Sequence, residues 1–227
     1  MLISHRYKFI FFSFPKTGSE SVRKLLDPFS DIRGIPFWKT NQDEPFYSHI
    51  SPLEVENIFK TKGWRYDEYY KFTFVRNPWA RLVSLYNMIY FTRKPSTFVG
   101  KIKSMIRKTS VPSFKEWLYQ TKPGGEGAGG PPDQRWQVYG SYSIANYILD
   151  ESGNELVNEV IKLEDIDQKL PELLERLNIP DSKRLEIPHI NKRTAKNYSN
   201  YYDDESNELV FERYKYDIDR FHYRFDE

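Results

Sequence analysis

The sequence predicts an α/β fold in which a mostly parallel central sheet is covered by helices on both faces. Three observations carry that prediction. Apolar, strand-like runs stand at residues 7–14, 70–75 and 160–163. Each run is followed by a segment with helical apolar spacing, the alternation that builds a sheet flanked by helices. Charged residues make up 29% and hydrophobic residues 39%, which places the chain among globular proteins. At 227 residues it suits one sizeable domain, spanning 1–227.

The first run, Phe9-Ile10-Phe11-Phe12-Ser13-Phe14, is apolar at successive positions, as a strand buried on both faces requires. It is too short for the apolar core of a secretory signal and lacks a small-residue cleavage site. A turn at residues 15–18 leads into a helix on which Val22, Leu25 and Leu26 recur at i, i+3 and i+4. Ser51-Pro52-Leu53-Glu54 is a capping-box pattern with proline at the first helical position, so a helix is expected at about 52–60. The second run ends at Arg76, and Asn77-Pro78 caps a helix whose apolar face includes Leu82, Leu85, Tyr86 and Ile89. The third run is followed by a helix to about Leu177, with Leu170, Leu173 and Leu174 on its inner face. An amphipathic helix from 205 to 221 closes the chain. Residues 122–133 hold five glycines and three prolines and are expected to be a flexible loop, either a lid over an acceptor or a plain surface connection.

The absence of cysteine excludes disulfides and thiolate metal sites and favours a reducing compartment, so a cytoplasmic location is expected. No apolar run reaches the roughly 20 residues of a transmembrane helix. No His, Asp or Glu cluster has metal-ligand spacing, and no metal is expected. The net charge is only +2, but residues 69–115 contain no acid and ten bases: Lys71, Arg76, Arg81, Arg93, Lys94, Lys101, Lys103, Arg107, Lys108 and Lys115. Such segregation makes an anion-attracting face or a solvated basic surface. Zinc-finger spacing, ribonucleoprotein motifs and basic heptads are absent, which argues against nucleic acid.

Two strand–helix junctions carry the chemistry. Pro15-Lys16-Thr17-Gly18-Ser19-Glu20-Ser21 follows the first strand and opens a helix, aiming backbone N–H groups and the helix dipole at one point. Gly18 permits close approach, Lys16 adds a charge, and Ser19 and Ser21 add hydroxyls. The GxxxxGK[ST] pattern of a Walker loop is missing, which argues against a nucleotide kinase. At the second junction Arg76 ends a strand, where open α/β sheets bind ligands. Asn77, Arg81 and Ser84 share a face of the following helix, so Arg76 and Ser84 can converge on one phosphate, while Arg81 serves there or as an ion-pair partner elsewhere. Two anion sites suit a nucleotide with phosphates at both ends.

Together the two segments resemble the paired 5′-phosphosulfate and 3′-phosphate motifs of sulfotransferases that use 3′-phosphoadenosine 5′-phosphosulfate (PAPS). They are most similar to the carbohydrate-type group that includes heparan sulfate 2-O-sulfotransferases and bacterial relatives. Tyr47-Ser48-His49-Ile50-Ser51, Val160-Ile161-Lys162-Leu163-Glu164, Ile187-Pro188-His189-Ile190-Asn191 and the ending Asp217–Phe225 resemble family segments in the same order. The resemblance covers nearly the whole chain apart from 92–130. It implies a P-loop NTPase-like three-layer sandwich. It also implies that Lys16, Thr17, Gly18, Ser19 and Ser21 hold the 5′-phosphosulfate and that Arg76 and Ser84 hold the 3′-phosphate. Arg193 and Thr194, in Asn191-Lys192-Arg193-Thr194, are similar to a late loop that closes over the nucleotide. Glu20 departs from the pattern: an anion within the binding loop must point away or pair with Arg23 or Lys24.

Sulfuryl transfer to an acceptor hydroxyl needs in-line placement, a stabilised leaving phosphate and a proton acceptor. His49 lies two residues before the Ser51 cap, where a helix dipole favours the neutral ring, and it matches the family histidine between the two phosphate motifs. His189 is the reserve base, and His5 and His222 read as structural. Lys16 is placed to neutralise the leaving phosphate. Trp38, Tyr47, Trp136 and Tyr139 lie in less periodic stretches and could stack on sugar rings or pack the core. The acceptor is a glycan or, alternatively, a hydroxylated lipid or small natural product; a non-catalytic nucleotide-binding module is the remaining alternative.

Overall fold

The structure, a computed structural model, describes residues 1–92, 111–121, 140–182, 185 and 198–226. They group into two compact units, one from Met1–Arg76 with Ile144–Arg193 and one from Asn77–Ser143 with Thr194–Glu227.

The first unit is a five-stranded sheet with its helices. Its strands are β1 (Leu2–Ser4), β2 (Phe9–Phe12), β3 (Ile32–Arg33), β4 (Tyr70–Val75) and β5 (Glu159–Lys162), in the spatial order β3-β1-β2-β4-β5. β2 pairs parallel with β4 and β4 with β5, whereas β1 runs antiparallel to both of its neighbours. The sheet is therefore mixed, a correction to the mostly parallel sheet expected. The three strands legible in the sequence are the parallel ones. β1 and β3 are three and two residues long, too short to display a period, and they exist only through their pairing.

Phe9, Phe11, Phe72, Phe74 and Ile161 point to one face and pack with helix α1 (Ser19–Leu26) through Val22, Leu25 and Leu26. A later helix, Ile166–Arg176, adds Leu170, Leu173 and Leu174 to the same core. The rings of Phe11 and Phe72 stack at 5.3 Å. Each buried aromatic contributes on the order of 1.5–3 kcal/mol by leaving water. Ile10, Phe12, Thr73 and Val75 point the other way and are also buried, so β2 and β4 are covered on both faces. Helix α2 (Pro52–Lys62) starts at a complete Ser51/Glu54 capping box and ends at Gly63 in the left-handed conformation. Its Phe59 sits edge-on to Trp64, Tyr66 and Tyr69.

The parallel pairing has one consequence for function. The carboxyl ends of β2, β4 and β5 lie side by side at one edge of the sheet, and the residues that follow them are Ser13, Arg76 and Leu163.

The second unit holds α3 (Pro78–Asn87), α4 (Phe114–Gln120), α7 (Asp204–Arg213) and α8 (Lys215–Phe221), taking α5 as Ile144–Ile148 and α6 as Ile166–Arg176 in the first unit. Asn77 caps α3 as expected, its Oδ1 accepting from the N–H groups of Trp79 and Ala80 at 3.1 and 3.3 Å. The tail is two helices where one was expected. The break falls at Tyr214, which is fully buried and whose hydroxyl donates to the Ser141 carbonyl, and the turn there keeps both Val210 and Ile218 inward. Among the described residues no helix is long and apolar enough to cross a membrane. The glycine-rich stretch 122–133 lies outside the described residues.

Candidate active site

The loop 15–18 leaves the end of β2 and feeds α1. Two of its residues, Lys16 (φ 67°) and Gly18 (φ 71°), are in the left-handed conformation. For Lys16 that conformation costs about 1 kcal/mol or more, and such local strain collects at ligand-binding turns. Alternation of this kind turns successive backbone N–H groups toward a common point, an anion-binding nest at the positive end of a helix. Gly18 is the N-cap of α1, and a Cβ there would lie 2.6 Å from Leu163 Cδ1, in the turn after β5. Thr17 is fully buried, and its hydroxyl donates to the Phe14 carbonyl at 2.8 Å, so it braces the loop from inside. Ser19 and Ser21 are half-buried in the first turn of α1, and Glu20 between them is exposed.

Lys16 is half-buried and makes no ion pair among the described residues. Burial pushes its ammonium below the usual lysine value, Arg76 pushes it further down, and Glu20 pulls it partly back. Two like charges are thus held together at the carboxyl ends of neighbouring strands, an arrangement that a bound anion would relieve.

His49 is brought to the same place from 36 residues away: its Nδ1 lies 2.6 Å from the carbonyl oxygen of Ser13, the first residue after β2. A carbonyl only accepts, so in the neutral ring Nδ1 carries the proton and Nε2 keeps its lone pair. Burial lowers the imidazole to about 4. The Ser13 carbonyl opposes that shift, while the Met1 ammonium, Arg23 and Lys16 add to it. The ring is therefore neutral at physiological pH.

A model of the sulfotransferase family matches residues 1–224. The chain belongs to the sulfotransferase family. Its reaction is therefore transfer of a sulfuryl group, and its acceptor is a hydroxyl compound. No curated protein and no solved structure matches the chain.

The sulfotransferase positions His49 through residues that sequence reasoning missed. Tyr147, on α5, is buried and donates to the Ile50 carbonyl at 2.8 Å, while its ring lies 5.1 Å from that of Phe14. It thereby holds the residue after His49 and the residue after Ser13 at once. The buried Met1 ammonium donates to the Ser48 carbonyl at 2.6 Å. These contacts are tertiary, and a hydroxyl at position 147 carries no local signal of them.

Arg76 is half-buried at the end of β4, and Ser84 is half-buried in the second turn of α3. Arg81, on the same helix face as Ser84, is fully buried and donates to the Gly140 carbonyl at 2.9 Å and to the Tyr142 carbonyl. Its guanidinium also lies 5.5 Å from the centre of the Tyr214 ring. Of the basic stretch, Lys71 is spent over the Tyr66 ring, and Lys115 on Asp203 and Glu205. Arg93, Lys94, Lys101, Lys103, Arg107 and Lys108 lie outside the described residues, as do His189, Arg193, Thr194, Trp136 and Tyr139. His5 hydrogen-bonds the Tyr69 hydroxyl at 2.6 Å, the structural role expected of it. Clefts of about 290 and 430 Å³ open near Lys8, Tyr69 and Asn158. They lie where β2, β4 and β5 begin, at the opposite end from loop 15–18, which is the wrong end for a ligand of a parallel sheet.

Proposed function

We propose that this sulfotransferase takes its sulfuryl group from PAPS and delivers it to a carbohydrate hydroxyl, with His49 as general base. The observation that carries the reading is the 2.6 Å contact between His49 Nδ1 and the Ser13 carbonyl, which fixes a neutral imidazole beside the loop holding Lys16. The residues fit a polyanionic donor. Lys16, Gly18, Ser19 and Ser21 offer charge, backbone and hydroxyl donors for the 5′-phosphosulfate, and the Thr17 side chain shapes the turn. Arg76 and Ser84, with Arg193 and Thr194, take the 3′-phosphate side by their resemblance to the family motifs. Glu20, exposed in the first turn of α1, favours the helix dipole and tempers the repulsion around Lys16.

The donor supplies an activated sulfur–oxygen bond. As the acceptor oxygen attacks sulfur, Nε2 of His49 takes its proton, and the bridging oxygen departs with the 5′-phosphate. Lys16 and the loop N–H groups balance the charge that develops there. A ring lowered to about 4 is a weak base. The donor's negative charge acts against Lys16 and Arg23, two of the cations that depress it, so His49 becomes more basic when the site is filled. A cysteine-free chain suits a reducing, cytoplasmic setting.

The test is release of 3′-phosphoadenosine 5′-phosphate (PAP) from PAPS across an acceptor panel of glycans, lipids and phenols. Wild type is expected to turn over with a glycan, and His49→Ala to lose about 100-fold or more in kcat while binding PAP normally. Turnover only with a lipid or phenol would replace the acceptor class. Turnover with no acceptor, with PAP still bound, would identify a nucleotide-binding module. An unchanged kcat in His49→Ala would remove the histidine from the mechanism.

A further inference from the structure

Residues 35–47 make an excursion whose two ends meet directly before His49. Ile35 and Tyr47 form an isolated parallel bridge, and the N–H of Ser48 donates to the Ile35 carbonyl at 2.9 Å. Gly34 lies so close to Ser48 that a Cβ would come within 2.8 Å of its Cα. The excursion is braced from inside: the Thr40 hydroxyl donates to the Phe37 carbonyl at 2.7 Å, and Asn41 Oδ1 accepts from the N–H groups of Asp43 and Glu44 at 2.8 and 2.9 Å. Tyr47 then closes a turn with the N–H of Ile50 at 3.3 Å, and His49 is within that turn.

This ordered loop carries an apolar surface that folding does not use. Trp38 is 78% exposed and Phe37 58%. Trp38 has no ring or hydrogen-bond partner among the described residues. Phe37 stands edge-on to Tyr47, with centroids 5.1 Å apart, and the Tyr47 hydroxyl donates to the Glu54 carboxylate at 2.8 Å. Glu54 is itself fixed by the Ser51 cap. Tyr47 and Glu54 therefore connect the exposed Phe37 ring to the helix that begins just after His49.

We propose that Phe37, Trp38 and Tyr47 form the acceptor shelf of this enzyme and that its occupant is a saccharide stacked on Trp38. The proposal rests on the sulfotransferase reading above and names where its acceptor lies. A sugar ring has an apolar C–H face and a hydroxyl periphery, and the shelf has the complementary layout. Its rings are aromatic, and the same loop carries the polar residues Lys39, Asn41, Asp43 and Glu44, all exposed. A lipid or polyketide would need most of its surface enclosed, whereas an indole open to this degree covers only one face of a ligand whose other side stays hydrated.

The shelf is tested by calorimetric titration of three unsulfated hexasaccharides, cellohexaose, chitohexaose and a glucosamine–glucuronic acid repeat, into wild type, Trp38→Ala and Trp38→Phe, with and without saturating PAP. At least one sugar is expected to bind wild type, about tenfold or more weaker to Trp38→Ala, and nearly as well to Trp38→Phe. All three proteins should show the same thermal shift with PAP, because Trp38 is remote from the fold's core. Absence of binding by all three sugars, or equal affinity in Trp38→Ala, overturns the shelf. A wild-type dimer that Trp38→Ala dissolves without any sugar response also overturns it, assigning the surface to a second copy. Loss of the PAP response in wild type would sink the donor reading alone, since the dependence on Trp38 is read without PAP as well.

Discussion

Lys16 and Arg81 are cations held away from water in opposite ways. Arg81, in the second unit, is fully buried, and two carbonyl oxygens and the Tyr214 ring compensate its charge. Lys16, in the first unit, is half-buried, sits in a left-handed turn and lies near a second cation, Arg76, whose effect the exposed Glu20 partly offsets. The first arrangement meets a buried charge with carbonyl acceptors and an aromatic face. The second sets two like charges against each other, and burial and that repulsion both hold the Lys16 ammonium below its usual value. The same charge is thus met by neutral acceptors in one unit and set against a like charge in the other, and the partners tell the two apart.

Substitutions at these positions should separate the two roles. Arg81→Met takes a donor from the buried Gly140 carbonyl and from the half-buried Tyr142 carbonyl and should lower unfolding stability by about 2–5 kcal/mol, measured by denaturant melts. Lys16→Met in the same assay should leave stability unchanged or raise it, yet weaken PAP about 10- to 100-fold in calorimetry. If both changes destabilise alike, the contrast between the two sites is wrong.

The His49 ring gives the next effect. Its value in the folded chain, about 4, lies below the 6.5 of a free imidazole, so the unfolded chain binds more protons between those values. Stability is therefore complete above pH 6.5 and falls as pH drops toward 4, by up to about 3 kcal/mol. In His49→Asn, whose amide can still reach the Ser13 carbonyl, that slope should shrink across the same window. Binding of PAP should raise the His49 value, read by NMR titration.

Smaller effects sharpen the picture of the loop. Gly18→Ala places a side chain in a left-handed position against Leu163 and should cost about 1–2 kcal/mol, with a matching loss of PAP affinity. Arg76→Ala should weaken PAP while leaving the affinity for AMP, which lacks the 3′-phosphate, almost unchanged.

Much of the layout around loop 15–18 was legible because it is local. The run 70–75 is β4 to the residue, the Ser51-Pro52-Leu53-Glu54 box starts α2 where expected, and loop 15–18 does join a strand to a helix. Sequence spacing also placed Asn77, Arg81 and Ser84 on one helix face, but it could not tell that the Gly140 and Tyr142 carbonyls occupy Arg81. The strand pair that makes the sheet mixed was invisible for the same reason. β1 and β3 are defined by partners about 30 residues apart, not by their own composition. Likewise His49 could be chosen by motif, while its tether to Ser13 and the Tyr147 brace needed the folded chain.

The proposal that Lys16 and Arg76, at the ends of β2 and β4, hold a nucleotide with phosphates at both ends is tested most directly by ligand-dependent thermal unfolding. PAP is expected to raise the melting temperature of wild type in proportion to its saturation, ATP to do little, and Lys16→Met to lose the PAP response. Stabilisation by ATP with no response to PAP would contradict it.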